Sequence, residues 1–272
     1  MEKKHIRRAI IFKRVGQTPL EALEEFRKTA QLGPVPLAYA GRLDPMAEGK
    51  LLVLIGDECK KQSQYHALDK AYRFEVLFNL ESDTGDVLGL AQECTPTSTY
   101  TNKDIKKVCH DLTGKQTFPY PQFSSKTVQG KPLHTWAVEG KLDEINIPET
   151  TTTVYNLVHK STRTISKNQL QKNIQEKIDT IPPITDPRKA LGNDFRRADI
   201  RVRWEEVFAH TQQDTFRIDT FYCEASSGTY MRTLAETIGK KLGTCGLAYS
   251  IYRTKIGRIL QTPFGIFWYK TF

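Results

Sequence analysis

Residues 71 to 80 alternate between apolar and polar side chains, and that pattern excludes most architectures for the segment. Tyr72, Phe74, Val76, Phe78 and Leu80 fall on one side, and Arg73, Glu75 and Asn79 on the other. A helix would scatter these residues around its axis. An extended strand sorts them, because successive side chains leave the backbone on opposite faces. The chain is therefore expected to build a sheet with a buried face. The apolar run Leu51-Leu52-Val53-Leu54-Ile55 reads as a second, buried strand, and Thr151 to Val158 and Phe216 to Cys223 as two more, the last with Phe216, Ile218 and Tyr222 in phase.

Helices are announced by their ends. Thr18-Pro19-Leu20-Glu21 is a capping box with proline at the first helical position, followed by Leu20, Leu23, Phe26 and Ala30 at helical spacing and stopped by Gly33-Pro34. Thr101 and Asp104 repeat the box ahead of the stripe Ile105, Val108, Cys109 and Leu112. Residues 230 to 242 form a third helix through Met231, Leu234, Ala235, Ile238 and Leu242, with Thr229 as its cap. Strands outnumber helices and are separated by long connections. The expected class is α+β, a mixed, mostly antiparallel sheet with flanking helices. Residues 34 to 50, broken by Pro34, Pro36, Gly41, Pro45 and Gly49, read as a loop, and the Pro- and aromatic-rich stretch 115 to 140 as an extended one.

The length, 272 residues, suits one large domain, taken here as a single unit over 1–272. With 39% hydrophobic residues the chain is no disordered segment. No apolar run reaches the length of a membrane span, and the charged start Met1 to Arg8 lacks the apolar core of a secretory signal, so a cytoplasmic protein is expected. Five cysteines at wide spacing, with no C-x-x-C pair, predict free thiols, and six histidines without metal-ligand spacing predict no metal. Lys and Arg number 40 against 31 Asp and Glu, a net charge of +9 that suits a polyanionic partner without requiring one. Residues 160 to 205 carry a short helix through Leu170, Ile174 and Ile178, then Arg188, Lys189, Arg196, Arg197, Arg201 and Arg203. They read as an exposed basic insertion, either a clamp for RNA phosphates or a solvated charge run.

Two places are suited to chemistry. Asp44 lies in the charged loop Gly41-Arg42-Leu43-Asp44-Pro45, ahead of a buried strand, where a scaffold can aim a carboxylate. By spacing alone an Asp-Pro is more often a plain turn. Arg232 sits in the first turn of a helix, against the dipole, which makes sense if it pairs with a carboxylate or phosphate.

These residues also resemble a family. Tyr39 to Gly49, containing Gly41-Arg42-Leu43-Asp44-Pro45, is similar to the G-x-L-D-P-x-A-x-G motif of the TruB-type tRNA pseudouridine synthases. Lys70-Ala71-Tyr72, Asp83-Thr84-Gly85-Asp86, Gly130 to His134, Gly228-Thr229-Tyr230-Met231-Arg232, Leu242-Gly243 and Tyr252-Arg253-Thr254 resemble its further motifs in order and spacing. The resemblance covers residues 10 to 158 and 206 to 260. It implies isomerisation of uridine to pseudouridine in the T-loop of tRNA, without cofactor or metal, by a chain expected to act as a monomer. On the same ground Asp44, Tyr72 and Arg232 are the catalytic candidates. Tyr39, Gly41, Arg42, Asp86, Lys126, Thr229 and Tyr230 are the substrate-binding ones. Tyr39 stands where the family has histidine, Lys13-Arg14-Val15-Gly16 replaces K-P-x-G, and Ser124-Ser125-Lys126 replaces S-A-x-K. The chain is expected to lack the family's C-terminal RNA-binding PUA domain. A synthase acting on ribosomal RNA and an inactive RNA-binding or RNA-folding module are the alternatives.

Overall fold

The computed structural model describes residues 6–181, 196–263 and 265–272. In chain order the first half reads β1 (Arg8–Lys13), α1 (Pro19–Thr29), β2 (Leu37–Ala40), β3 (Ala47–Ile55), α2 (Gln62–His66), β4 (Asp69–Phe78), β5 (Leu80–Ser82), β6 (Ala91–Glu93), α3 (Asn102–Asp111) and β7 (Gly114–Pro119). The second half reads β8 (Thr127–Val128), β9 (Lys131–Pro132), α4 (Leu133–Val138), β10 (Glu149–Ser166), α5 (Lys167–Asp179), α6 (Arg197–His210), β11 (Thr215–Ala225), α7 (Met231–Lys241), β12 (Gly246–Thr262) and β13 (Gly265–Thr271).

The alternating segment becomes β4, in the middle of a sheet ordered β1-β3-β12-β4-β11-β10-β7. Strand β2 adds to β3, and β13 to the far half of β12. Within this sheet β3 and β12 run parallel, pairing Ile251 with Ala47 and Arg253 with Gly49, and the other pairings are antiparallel. The expected α+β sheet with flanking helices is therefore present.

The two capping boxes form as the sequence predicts. Thr18 and Glu21 close the start of α1, and Thr101 and Asp104 close α3. One apolar cluster joins Phe74, Val76 and Phe78 of β4 to Leu234, Ala235 and Ile238 of α7 and to Ile105 and Val108 of α3. Burying each such side chain contributes about 1.5–3 kcal/mol, which fixes α7 against the sheet.

Several expectations need correction. The 34 to 50 stretch is a loop only between β2 and β3, because both strands find partners in the sheet. The 115 to 140 stretch holds β7, the β8–β9 hairpin and α4, and β7 pairs with β10 through Gly114 and Val154. In β11 it is Phe221 and Cys223 that are buried beyond Ile218, with Tyr222 half-buried, since both faces of this central strand are covered. Thr229 does not cap α7. Tyr230 occupies the cap without a side-chain bond, and the Thr229 hydroxyl donates to Ser226 O at 3.0 Å.

The basic insertion is the largest revision. Residues 160 to 166 continue β10, and α5 and α6 bury Leu170, Ile174, Ile178, Ile200, Trp204, Val207 and Phe208 in the main cluster. Its arginines are engaged with the protein: Arg196 with Asp83, Arg197 with the carbonyl of Ile181, Arg201 with Asp179 and Arg203 with Glu206. Arg188 and Lys189 lie outside the described residues. The cysteines also depart from expectation. Cys94 and Cys245 form a disulfide across a Cα separation of 6.3 Å, while Cys59, Cys109 and Cys223 are free thiols. The pairing joins residues 151 positions apart, which no spacing rule detects.

Candidate functional site

Asp44 sits in the loop of residues 41–46 between β2 and β3. The loop holds little regular structure, so its shape depends on what its carbonyls accept. Lys13, fully buried at the end of β1, donates to Pro45 O at 3.3 Å and Ala47 O at 2.6 Å. Arg253, fully buried on β12, donates to Lys50 O at 2.7 Å, Gly41 O at 3.0 Å and Arg42 O at 3.4 Å. Gly16 N donates to Pro45 O at 2.9 Å. Gly41 takes φ +80, a backbone that favours glycine. These contacts leave the Asp44 carboxyl 31% exposed, in reach of solvent and of a ligand.

The carboxyl meets Arg232, only 3% exposed in the first turn of α7. Arg232 Nε donates to Asp44 Oδ2 at 2.9 Å, Nη1 to Thr84 O at 2.6 Å and Nη2 to Phe123 O at 3.2 Å. The pair joins residues 188 positions apart, as the placement of a cation at a helix N-terminus suggested. Asp86 also approaches Arg232, its Oδ2 3.8 Å from Nε, while its Oδ1 accepts from Thr84 Oγ1 at 2.8 Å and Leu88 N at 2.9 Å. Burial pulls the Arg232 pKa down, and the Asp44 and Asp86 carboxylates more than offset it, so the guanidinium is held charged. Burial raises the Asp86 carboxyl, and Arg232 only partly opposes it.

Tyr72 is buried on β4, opposite Arg253 in the strand register, in the same apolar cluster as Leu43 and Met46. Burial raises its phenol, with Arg253 acting against the rise. Tyr230, at the start of α7, meets the Tyr120 ring edge-on at 6.1 Å. Burial raises the Tyr230 phenol too, and Asp44 adds to it. Asp44, Arg232, Asp86, Tyr72, Gly41 and Tyr230 are therefore gathered in one place. Arg42 is exposed beside Asp44 in the chain.

Of the remaining candidates, Lys126 and Thr229 lie at the edge of this group and Tyr39 faces away from it. Tyr39 packs with the α1 cluster of Ala22, Leu23, Leu51 and Val53, and its carbonyl accepts from Gln62 at 2.7 Å. Lys126 is exposed, with its ammonium 5.1 Å from the Tyr120 ring. Thr229 serves its own turn. What residue-by-residue reading missed is the support behind the loop: Lys13, Lys70 and Arg253. Lys13 closes the apolar run Ala9-Ile10-Ile11-Phe12, and that anomaly was the available signal; Lys70 beside Asp69 and Arg253 beside Thr254 and Lys255 offered none of that kind. Lys70 donates to Leu68 O, to His66 O at 3.3 Å and to Ser227 Oγ at 3.2 Å, and burial with Arg253 nearby lowers its pKa to about 7.

The profile of the TruB family pseudouridylate synthases (N-terminal domain) matches residues 30–181, more than half of the chain and including Asp44, Tyr72 and Asp86. The chain belongs to the TruB family. It is 27% identical to tRNA pseudouridine synthase 4 of Saccharomyces cerevisiae over 263 residues, 88% of this chain and 64% of that one. It is 27% identical to tRNA pseudouridine synthase B of Caldicellulosiruptor saccharolyticus over 248 residues, 91% of this chain and 66% of that one. It is 34% identical to tRNA pseudouridine synthase B of Caldanaerobacter subterraneus over 148 residues, 54% of this chain and 50% of that one. The chain thus spans about half to two thirds of the length of these curated relatives. Among solved structures, a chain in the crystal structure of a Cbf5-Nop10-Gar1 complex is similar, with a TM-score of 0.53 and 14% identity over 92% of this chain and 49% of that one. At that identity the likeness is one of fold, the same mixed sheet with flanking helices.

Proposed function

We propose that this protein isomerises uridine to pseudouridine in RNA, with the T-loop uridine of tRNA as substrate and Asp44 as the catalytic carboxylate. The observation that carries the reading is the Asp44–Arg232 pair: a partly exposed carboxylate, itself inside the segment that matches the family profile, aimed by a buried arginine. The names of the relatives support tRNA as the substrate class.

The reaction breaks the N1–C1′ bond, turns the base and joins C5 to C1′. The C5 proton leaves and N1 gains one, so atoms balance without a cofactor. A carboxylate serves such a step as a nucleophile or as a proton acceptor. Arg232 aims the Asp44 carboxyl, because a guanidinium with three bonded nitrogens has one orientation. Tyr72 and Leu43 give the site an apolar floor for an extruded base, which is cheaper to take from a loop than from a duplex. The net charge of +9 favours a polyanion.

The test is pseudouridine mapping of total RNA incubated with the protein. Product at the T-loop uridine of tRNA is expected, and product confined to ribosomal RNA overturns the tRNA assignment. Asp44→Asn keeps the side-chain shape and removes the charge. It is expected to lower product formation by about 10³-fold or more while leaving RNA binding nearly intact. Comparable turnover by Asp44→Asn would remove Asp44 from the mechanism.

A further inference from the structure

Arg232 uses one nitrogen on Asp44 and two on backbone carbonyls, Thr84 O and Phe123 O. Its direction is therefore set by two segments that are not regular elements. One is the turn of residues 83–90 between β5 and β6. The other is the loop of residues 120–126 between β7 and β8. The turn is bridged to β12, where Ala248 N donates to Gly85 O at 2.9 Å, but residues 120–126 share no sheet pairing with it that would fix the distance between the two.

One side chain touches both. Arg196 Nη1 donates to Asp83 Oδ2 at 2.6 Å, and its guanidinium lies 4.4 Å from the centre of the Phe123 ring. Asp83 is a fixed anchor, since its other oxygen accepts from Leu90 N at 2.8 Å. Phe123 is the residue whose carbonyl holds Arg232. Eight residues on, Trp204 Nε1 donates to Val87 O at 3.0 Å in a buried contact, so α6 grips the same turn a second time. Arg196 is 18% exposed and already bonded, a poor place for a phosphate.

We propose that α6 is a brace for the active site, and that Arg196 is a positioning residue acting through Arg232 on Asp44. This rests on the function proposed above. Arg196 locks the turn to the loop, the two carbonyls then hold the Arg232 guanidinium, and Asp44 keeps its aim. The Phe123 O contact, 3.2 Å, is the longest of the three that Arg232 makes, so the loop is the support that loosens first. Misplacement of a reacting group by an ångström lowers a rate by about 10²-fold, which leaves ample range for a partial effect.

The experiment is single-turnover pseudouridine formation at saturating tRNA, with RNA affinity measured across a salt series. Arg196→Ala is expected to slow the saturated rate about ten-fold, with affinity and salt slope unchanged. Arg196→Lys, which keeps the pair with Asp83 and loses the flat contact on Phe123, recovers part of the rate. The double variant Arg196→Ala with Asp83→Asn is no slower than its slower parent, because both break one link. Arg201→Ala, which removes only the pair with Asp179 at the end of α5, leaves the rate intact. An unchanged saturated rate in Arg196→Ala overturns the proposal. So does weaker binding with a salt slope reduced by about one, which would make Arg196 a phosphate contact. A second readout is independent of turnover: the Nε–H resonance of Arg232, protected in the parent by Asp44, loses protection in Arg196→Ala and Arg196→Lys. Should the parent make no pseudouridine in any RNA, the function fails, and this resonance still decides the brace. Unchanged protection in both variants overturns it.

Discussion

Asp44 and Asp86 approach the same arginine, yet the backbones that carry them are held in opposite ways. The Asp44 loop is fastened from outside. Buried cations from β1 and β12, Lys13 and Arg253, reach in to its carbonyls, and Lys70 stands behind it, with Cε 3.4 Å from where a Gly41 side chain would begin. The Asp83–Leu90 turn is closed by its own short side chains, and Arg196, Trp204 and Ala248 then seat it against α6 and β12. Ser82 Oγ donates to Asp86 O at 2.6 Å, Thr84 Oγ1 to Asp86 Oδ1 at 2.8 Å, and Asp83 Oδ1 accepts from Leu90 N. A loop held by distant cations lets its carboxylate stay exposed for chemistry. A turn held by its own polar groups buries its carboxylate and uses it as a strut.

The contrast is sharpest in its pH dependence. Burial lowers Lys70 to about 7 and Lys13 to about 8, both far below the ordinary lysine value. Between those values and about 10 the unfolded chain binds protons that the folded one has released, so stability rises with pH there. The slope per lysine is up to about 1.4 kcal/mol per pH unit. Lys70→Met is expected to remove its share, read from urea unfolding at several pH values between 7 and 10. Asp86 runs the other way. Its raised carboxyl keeps a proton that the unfolded chain loses, so stability falls as pH rises just above the ordinary carboxylate value, and Asp86→Asn removes that fall. Lysine variants with parental slopes would break the contrast.

Arg253→Met is the next largest effect. It strips donors from the carbonyls of Gly41, Arg42 and Lys50 and is expected to lower unfolding stability by about 3 kcal/mol. A loss under about 1 kcal/mol would mean that the loop keeps its shape without the cation.

Glycine substitutions then compare the two regions directly. At Gly49, φ +114, a Cβ would meet the Arg253 backbone, 2.8 Å from its nitrogen, and adjacent strands cannot part cheaply. At Gly85, φ +73, a Cβ would meet the carboxyl end of Glu236, 3.1 Å from Cδ, and that side chain can swing. Gly49→Ala is expected to cost about 2–3 kcal/mol and Gly85→Ala about 1 kcal/mol, by thermal or urea unfolding. Equal losses would erase the distinction. The smallest effect belongs to Thr84→Val, about 0.5 kcal/mol, because the other bonds within the turn remain.

What was legible in the sequence follows the same division. The starts of α1 and α3 were readable because a capping box closes within four residues, and the turn at Asp83-Thr84-Gly85-Asp86 because its bonds are local. Helix α6 hid among arginines, although Ile200, Trp204, Val207 and Phe208 recur at helical spacing. Strand β7 carried no alternation of its own and exists because β10 offers an edge.

The sequence by itself determined the class of fold, the buried strand ahead of which Asp44 sits, and the oddity of a cation in the first turn of α7. These depend on periodicity and on neighbours three or four residues away, whose energies are the same wherever the segment lands. The tertiary structure alone decided the cations behind the Asp44 loop, the Cys94–Cys245 bond and the grip of Arg196 on both supports of Arg232. Those contacts join segments that are far apart in the chain, and they exist because the sheet order sets β3, β12 and β4 side by side and packs α6 and α7 on one core.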